Sequence, residues 1–173
     1  QPFTGHFWMR VIEKERGKYP KVKVAYTPLS CMHCDDALCI KASHDGAIYQ
    51  RPDGIVLIDP EKSTGQKQLV SSCPYRVIYW NEEKSIPQKC TFCVHLLDAG
   101  WKEPMCVEAC PTGTLIFGDF DDSNSEVSKL VASGKVEILH PEYDMKDKVS
   151  YIGLPKRFIA GTVGFGDKDE CAE

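Results

Sequence analysis

The chain has 173 residues, which is enough for one domain with a hydrophobic core or for two small domains. Hydrophobic residues make up an ordinary 42%, and no segment reaches the roughly 18 consecutive apolar residues of a membrane helix. The formal net charge of -4 gives no support to nucleic-acid binding. Residues 1–10 lack the basic and apolar regions of a secretory signal.

The predicted elements of the first half surround one group of cysteines. A strand is expected at 21–26, directly before Cys31-Met-His-Cys34 and Cys39. Two runs rich in β-branched residues, 47–50 and 55–59, flank a Pro-Asp-Gly turn and predict a hairpin. A short helix is predicted within 60–72, and Cys73-Pro74 then leads into a predicted strand at 77–80.

The second half begins with another cysteine group and ends in a cysteine-poor arm. Cys90-Thr-Phe-Cys93 precedes an apolar, helical stretch, and Cys106 and Cys110-Pro111 precede a predicted strand at 114–117. A Cys-Pro step followed by a strand thus occurs twice, which indicates an internal repeat. Beyond it we predict a helix at 125–133, with Asn124 as N-cap and Gly134 after its end, and strands at 136–139 and 149–152.

The cysteine pattern predicts metal binding. An odd number of cysteines with very close pairs is a poor plan for disulfides. In the absence of a secretion signal, clustered cysteines favour metal. There are nine in all, at 31, 34, 39, 73, 90, 93, 106, 110 and 171.

The spacing is typical of bacterial ferredoxins. In C-x₂-C-x₂-C-x₃-C-P, three cysteines bind one [4Fe–4S] cluster and the one before proline binds the other. The first predicted cluster therefore has four ligands in this chain, namely Cys31, Cys34, Cys39 and Cys73. A second trio comprises Cys90, Cys93 and Cys106. By the same crossing rule Cys110 serves a different cluster, and we expect residues preceding Gln1 to supply the remaining ligands.

Two other kinds of metal site are alternatives. A Cys₄ zinc site at Cys90, Cys93, Cys106 and Cys110 is chemically reasonable, but it leaves the first cysteine group unexplained. A Rieske centre requires a Cys-x-x-His group, which the sequence lacks. His33 and His95 are therefore expected beside the clusters or at the surface, where hydrogen bonding can tune a potential. Cys171 is expected to be a free thiol.

These motifs, in this order, resemble the iron–sulfur β-subunits of the molybdopterin (dimethyl sulfoxide reductase type) oxidoreductases. The resemblance covers about residues 20–135 and is carried by a series of short motifs: Cys31-Met-His-Cys34, Asp45-Gly-Ala-Ile-Tyr49, Asp53-Gly-Ile-Val56, Ser72-Cys-Pro-Tyr75, Gln88-Lys-Cys-Thr-Phe-Cys93 and Cys106-Val-Glu-Ala-Cys-Pro-Thr-Gly113. Within the family, the phrases at 49–51, 53–62 and 79–83 are most similar to the small subunits of aromatic transhydroxylases, hydroxylases and dehydroxylases.

One cluster of the four-cluster family pattern lacks its ligands here. The family's cysteines fall on four positions that this chain fills with Ser43, Ser63, Gln66 and Leu69. Cys73, which the resemblance assigns to the neighbouring cluster, is retained. The resemblance therefore implies three [4Fe–4S] clusters in the complete subunit.

The expected fold class is α+β, with ferredoxin-like units of the bacterial polyferredoxin type, short hairpins, cluster-binding loops and a helix/strand C-terminal arm. Expected domains are an iron–sulfur domain at 1–118, an arm at 119–157 that packs on the ferredoxin-like unit or on a partner, and the start of a β-sandwich at 158–173. The resemblance implies electron transfer to or from a large subunit that holds a molybdenum or tungsten bis-pterin guanine dinucleotide and acts on a phenolic substrate.

No nucleic-acid partner or direct membrane insertion is expected. A cytoplasmic location is favoured, with export alongside the partner as the alternative. A stand-alone ferredoxin-like carrier and a zinc-stapled interaction module remain open as other functions.

Overall fold

The computed structural model describes residues 7–155 and, further along, the backbone of strands β9 (Gly164–Phe165) and β10 (Lys168–Cys171). The proposed start of a sandwich at 158–173 therefore lies largely outside the described residues, as does the side chain of Cys171. Within the described part, short helices alternate with two-stranded antiparallel sheets, which confirms the α+β class.

A long hairpin precedes the first cysteine group. Strand β2 (Lys21–Leu29) confirms and extends the predicted strand, and it pairs antiparallel with β1 (Arg10–Lys18), which was not predicted. Charged residues fill most of β1, so it lacks the apolar alternation that identifies a strand. Gly17 makes the turn at φ +100°, where a Cβ atom would collide with the carbonyl of Lys21.

The predicted central hairpin is confirmed as β3 (Ile48–Gln50) and β4 (Val56–Ile58). The Arg51 amide donates to the Ile55 carbonyl at 2.9 Å, and Gly54 takes the left-handed conformation that the turn requires.

The predicted helix within 60–72 forms only as a 3₁₀ helix at Lys67–Ser72. The strand predicted at 77–80 is displaced: β5 spans Tyr79–Asn81 and pairs with β6 (Ile86–Gln88). Val77 and Ile78 lie before the strand, and their side chains are buried in the core.

Short helices lie at both cysteine groups. Helix α1 (Leu38–Lys41) belongs to the first group, and α2 (Val94–Leu97) follows Cys93 as predicted. Helix α3 (Met105–Glu108) contains Cys106 and was not predicted.

The prediction of a strand at 114–117 was wrong, since these residues do not form or pair as a strand in the structure. Consequently only the first of the two Cys-Pro steps leads into a strand. The Thr114 hydroxyl lies 2.7 Å from the Thr112 hydroxyl, so the chain there is held by local contacts.

The C-terminal arm contains the predicted helix, α4 (Glu126–Ala132). Its N-cap is Ser125, whose hydroxyl accepts from the Ser128 amide, so the assignment of Asn124 was wrong by one residue. Gly134 follows the helix at φ +66° as predicted. A 3₁₀ turn at Pro141–Tyr143 and the paired strands β7 (Val136–Glu137) and β8 (Tyr151–Ile152) complete the arm.

The core is built around the first cysteine group. The apolar side chains that pack together there are buried almost completely. They come from β2, the first cysteine loop, both central hairpin strands, the 3₁₀ helix, the segment before β5 and the arm: Leu29, Met32, Ile48, Val56, Leu69, Val77, Ile78 and Met145. In the described ranges, every helix is too short or too polar to cross a bilayer.

Candidate metal centre

The first cysteine group spans the tight loop between β2 and α1 and the first turn of α1. Cys31, Cys34 and Cys39 are all buried. His33 adopts φ +46°, and this turn directs its amide at the Cys31 sulfur, 3.4 Å away. The loop therefore gathers thiols and backbone N–H groups at one place, as a cluster-binding turn requires.

Cys73 reaches the same place from the far end of the 3₁₀ helix. The four cysteines predicted for one cluster all line a single cavity, although Cys73 is distant from the others in sequence. Apolar side chains close its walls: Met32, Ala37, Leu38, Val56, Ile78 and Met145. Four thiols in a cavity with apolar walls fit a [4Fe–4S] cube, whose thiolate ligands must converge from all sides and be shielded from water.

Burial favours the neutral thiols of Cys34, Cys39 and Cys73 in the protein alone. It raises the pKa of Cys39 to about 11, with the neighbouring thiols of Cys31 and Cys73 adding to the effect. Burial and then the Asp147 carboxylate raise the pKa of Cys34, and burial also raises that of Cys73. Iron is the positive charge that would favour the thiolates here, because ligand thiols lose their protons on binding metal.

The second group has a loop of the same form. Phe92 takes φ +50°, and its amide points to the Cys90 sulfur at 3.5 Å. Burial raises the pKa of Cys90 to about 11. The pKa of Cys106 is raised by burial and then by the nearby Cys93 thiol. The structure thus brings the predicted trio into one neighbourhood.

Cys110 lies at the exposed edge of that neighbourhood. Its sulfur is 3.5 Å from the Thr112 hydroxyl. This contact, together with the backbone amide of Leu115, lowers the pKa of Cys110 to about 7. It is electrostatically coupled to Cys106.

A buried lysine separates the two groups. Lys89 lines the first cavity and directly precedes Cys90. Its ammonium donates to the carbonyls of Val56 and Cys90. Lys89 was not predicted as part of the site, because a lysine beside a cysteine carries no signal of burial.

The arm covers the first group from the other side. We expected the arm to pack on the iron–sulfur domain or on a partner, but not which of its residues would make the contact. The Asp35 and Asp36 amides donate to the carbonyls of Lys146 and Met145, each at 3.1 Å, and the Lys148 amide donates to the Met32 carbonyl at 3.0 Å. Residues 145–148 are called the cover segment below.

Asp147 of the cover segment accepts hydrogen bonds from the Tyr75 hydroxyl and the Cys34 thiol. No motif marks the cover segment in the sequence.

The two histidines occupy different environments. His33 is completely buried, and its pKa is held well below the usual value by burial and then by Lys89 and Lys148. His95 lies exposed on α2.

The positions of the absent family ligands take part in ordinary packing. Ser63 and Leu69 are fully buried. The Ser43 hydroxyl donates to the Ile40 carbonyl at 2.9 Å, and the Gln66 amide group donates to the Lys62 carbonyl at 2.7 Å.

Across residues 7–155, the His, Cys, Asp and Glu side chains form no group of three arranged around a single metal ion. Four sulfurs at zinc–sulfur distance lie within about 4 Å of one another. A [4Fe–4S] cube holds its thiolates farther apart, around a body of irons and sulfides.

The segment that carries the cysteines matches a known protein family. Residues 22–120 match the family described as the 4Fe-4S dicluster domain. The chain belongs to this family. The matched region contains every cysteine of the two groups described above.

Individual relatives support the same family assignment. The chain is 42% identical to the pyrogallol hydroxytransferase small subunit of Pelobacter acidigallici, over 98% of this chain and 62% of the relative. It is 37% identical to a sulfite dehydrogenase subunit of Allochromatium vinosum, over 89% and 66%. It is 31% identical to the arsenate respiratory reductase iron–sulfur subunit of a Shewanella species, over 86% and 83%.

The predicted membership among iron–sulfur subunits of molybdopterin oxidoreductases is therefore confirmed. The chain spans less than two thirds of the length of the Pelobacter and Allochromatium relatives.

Proposed function

We propose that the chain is the cluster-binding part of an electron-transfer subunit, which passes single electrons to or from a large subunit with a molybdenum or tungsten pterin centre. The observation that carries this proposal is the cavity shared by Cys31, Cys34, Cys39 and Cys73, because thiols from separate segments meet between apolar walls. The names of the relatives support the large partner, and that of the Pelobacter protein supports a phenolic substrate.

The proposed ligand sets follow the ferredoxin crossing rule. The first cluster is assigned to the four cysteines of the cavity. The second is assigned to Cys90, Cys93 and Cys106 with one ligand outside this chain. Cys110 is assigned to the third cluster. Two loops of the same form, each with a backbone amide directed at the leading cysteine, support a ferredoxin-like arrangement at 1–118.

A partner chain is favoured over a stand-alone carrier. The β1–β2 hairpin leaves large apolar side chains exposed, with Tyr19 93% and Tyr26 65% accessible. A two-stranded hairpin is marginal in water by itself, so a surface that covers it would stabilise it.

Anaerobic purification of the complete complex tests the proposal. We expect iron and acid-labile sulfide in equal amounts, a co-purifying pterin-containing chain, and reduction of the clusters when the partner's substrate or electron donor is added. Zinc in place of iron, or iron–sulfur protein without a pterin-containing chain, would refute it.

Cys73→Ala tests the ligand assignment, with Cys171→Ala as the matched control. The first variant is expected to lose the iron of one [4Fe–4S] cluster. The control should keep its full iron content, because Cys171 is in no proposed ligand set. Full iron content in Cys73→Ala would overturn the assignment.

A further inference from the structure

One charged side chain lines the cavity that the first cysteine group shares with Cys73. The other described residues in its walls are apolar side chains, four thiols and one phenol. The exception is Lys89, whose side chain ends in a positively charged ammonium. Lys89 is only 2% exposed, so neither bulk water nor dissolved salt screens its charge well.

Two backbone carbonyls hold the ammonium in place. Nζ of Lys89 donates to the carbonyl of Val56 and, at 3.2 Å, to that of Cys90. Val56 belongs to the wall of the first cavity, and Cys90 is the leading cysteine of the second group. The positive charge is therefore fixed beside the first cavity by contacts to both cysteine groups.

The described residues supply no anion for this cation. Within the ranges that the structure describes, no carboxylate lies at ion-pair distance from Lys89. Asp147 contacts the first cysteine group but accepts a hydrogen bond from the Cys34 thiol instead. A carbonyl carries only a partial charge, and a buried cation without a counter-ion is strongly unfavourable. A negatively charged group bound in the cavity would remove this penalty.

A [4Fe–4S] cluster with four cysteine ligands is such a group. It is an anion in both its oxidised and its reduced state, since the four thiolates outweigh the positive charge of the iron–sulfur core. One-electron reduction adds a further negative charge, so a nearby cation stabilises the reduced state more than the oxidised state. The charge of Lys89 also acts on a proposed ligand: burial dominates the raised pKa of Cys39, and Lys89 opposes it.

We propose that Lys89 is the counter-ion of the cluster assigned to Cys31, Cys34, Cys39 and Cys73, and that its charge raises the reduction potential of this cluster. Lys89 is not an iron ligand in this proposal and acts through its charge alone. The inference rests on the proposed function, because it requires the cluster. The competing explanation is a structural one, in which Lys89 only ties Val56 to Cys90 by hydrogen bonds.

Redox titration of the complete purified complex, followed by EPR, distinguishes the two explanations. The signal of the first cluster is assigned by its loss in Cys73→Ala. Lys89→Met removes the charge and the hydrogen bonds, Lys89→Gln removes the charge but keeps an N–H donor, and Lys89→Arg keeps the charge. Lys129→Met is the matched control, because Lys129 also donates to a carbonyl, that of Asn124 at 2.8 Å, but is exposed.

We expect both uncharged variants to disfavour reduction of the first cluster about tenfold, which lowers its potential by about 59 mV for one electron. Lys89→Arg and Lys129→Met should leave the potential unchanged. The difference should persist in about 1 M salt, because salt screens mainly exposed charges. If the uncharged variants fail to retain the first cluster while Lys89→Arg keeps it, iron content shows the same requirement for the charge.

An unchanged potential in Lys89→Met and Lys89→Gln would overturn the proposal. An equal shift, or an equal loss of the first cluster, in Lys89→Arg would also overturn it, because the shape of the side chain and not its charge would then matter. Iron and sulfide analysis of the unsubstituted complex distinguishes these outcomes from failure of the proposed function. Absence of cubic clusters refutes the proposed function, whereas intact clusters whose potential does not depend on the charge of residue 89 refute only this inference.

Discussion

Met145 and Leu69 provide a matched pair for testing whether the cover segment protects the first cluster. Both side chains are almost completely buried in the same core, at 4% and 0% exposure. Only Met145 lines the cavity of the four cysteines. Replacing either by alanine removes a similar amount of packed hydrocarbon, but only one replacement opens the cavity wall.

The expected loss of stability is similar for the two variants. Full burial of such a side chain contributes about 1.5–3 kcal/mol, and the cavity left behind raises the cost of truncation to about 2–5 kcal/mol. Anaerobic denaturant unfolding should place both variants in that range. The loss of the first cluster in air should be faster in Met145→Ala alone, because water and oxygen gain access through the missing wall.

Stopped-flow loss of cluster absorption after mixing with air-saturated buffer measures this difference. The cluster that decays first is identified by comparison with Cys73→Ala. If Leu69→Ala loses the cluster as fast as Met145→Ala at equal stability, Met145 contributes only packing and the reasoning about the cover segment is wrong.

Two further predictions concern contacts around the core. Burial, and then Asp147, raises the pKa of Tyr151 to about 12, and its hydroxyl donates to the Pro28 carbonyl at 2.9 Å. The neutral Tyr151 hydroxyl therefore contributes its full stabilisation below pH 10, the ordinary phenol pKa, and this stabilisation is lost as the pH rises towards 12. Over this pH range, the free energy of unfolding of Tyr151→Phe should fall less steeply than that of the unsubstituted protein. Arg51 holds Asp98 through two contacts of 2.8 Å, which join the central hairpin to the end of α2. A double-mutant cycle of Arg51→Ala and Asp98→Ala should give a small favourable coupling that shrinks in about 1 M salt, and a coupling that does not respond to salt would show that packing dominates there.

The parts of the fold that the sequence predicted are those determined locally. The loop at Cys31 and Cys34 and the hairpin at the Pro-Asp-Gly turn each depend on a few consecutive residues, whose conformational preferences are visible in their types. The meeting of Cys73 with the first three cysteines followed from a crossing rule of ferredoxins and not from local preference.

The errors have physical reasons. Asn124 and Ser125 are both good N-caps, so residue type alone does not choose between them, and the Ser128 amide decides. The apolar residues at 114–117 have strand character but no strand beside them within the described residues, and a strand needs a partner.

The contacts of the cover segment could not be predicted for a different reason. Met145 and Asp147 contact a loop more than a hundred positions earlier, and the pair Asp147 and Cys34 is separated by 113 residues. A contact of that range leaves no periodic pattern in either segment.

The cover segment also sets an order of events during biosynthesis. The first three cysteines and Cys73 leave the ribosome well before residues 145–148, so the nascent chain presents its four thiols while one side of their pocket is still open. A cluster inserted during this interval would meet an open pocket, whereas a cluster inserted after synthesis of the arm would require the cover segment to move away. A chain truncated before Met145 would therefore be able to accept a cluster but would lack the means to retain it.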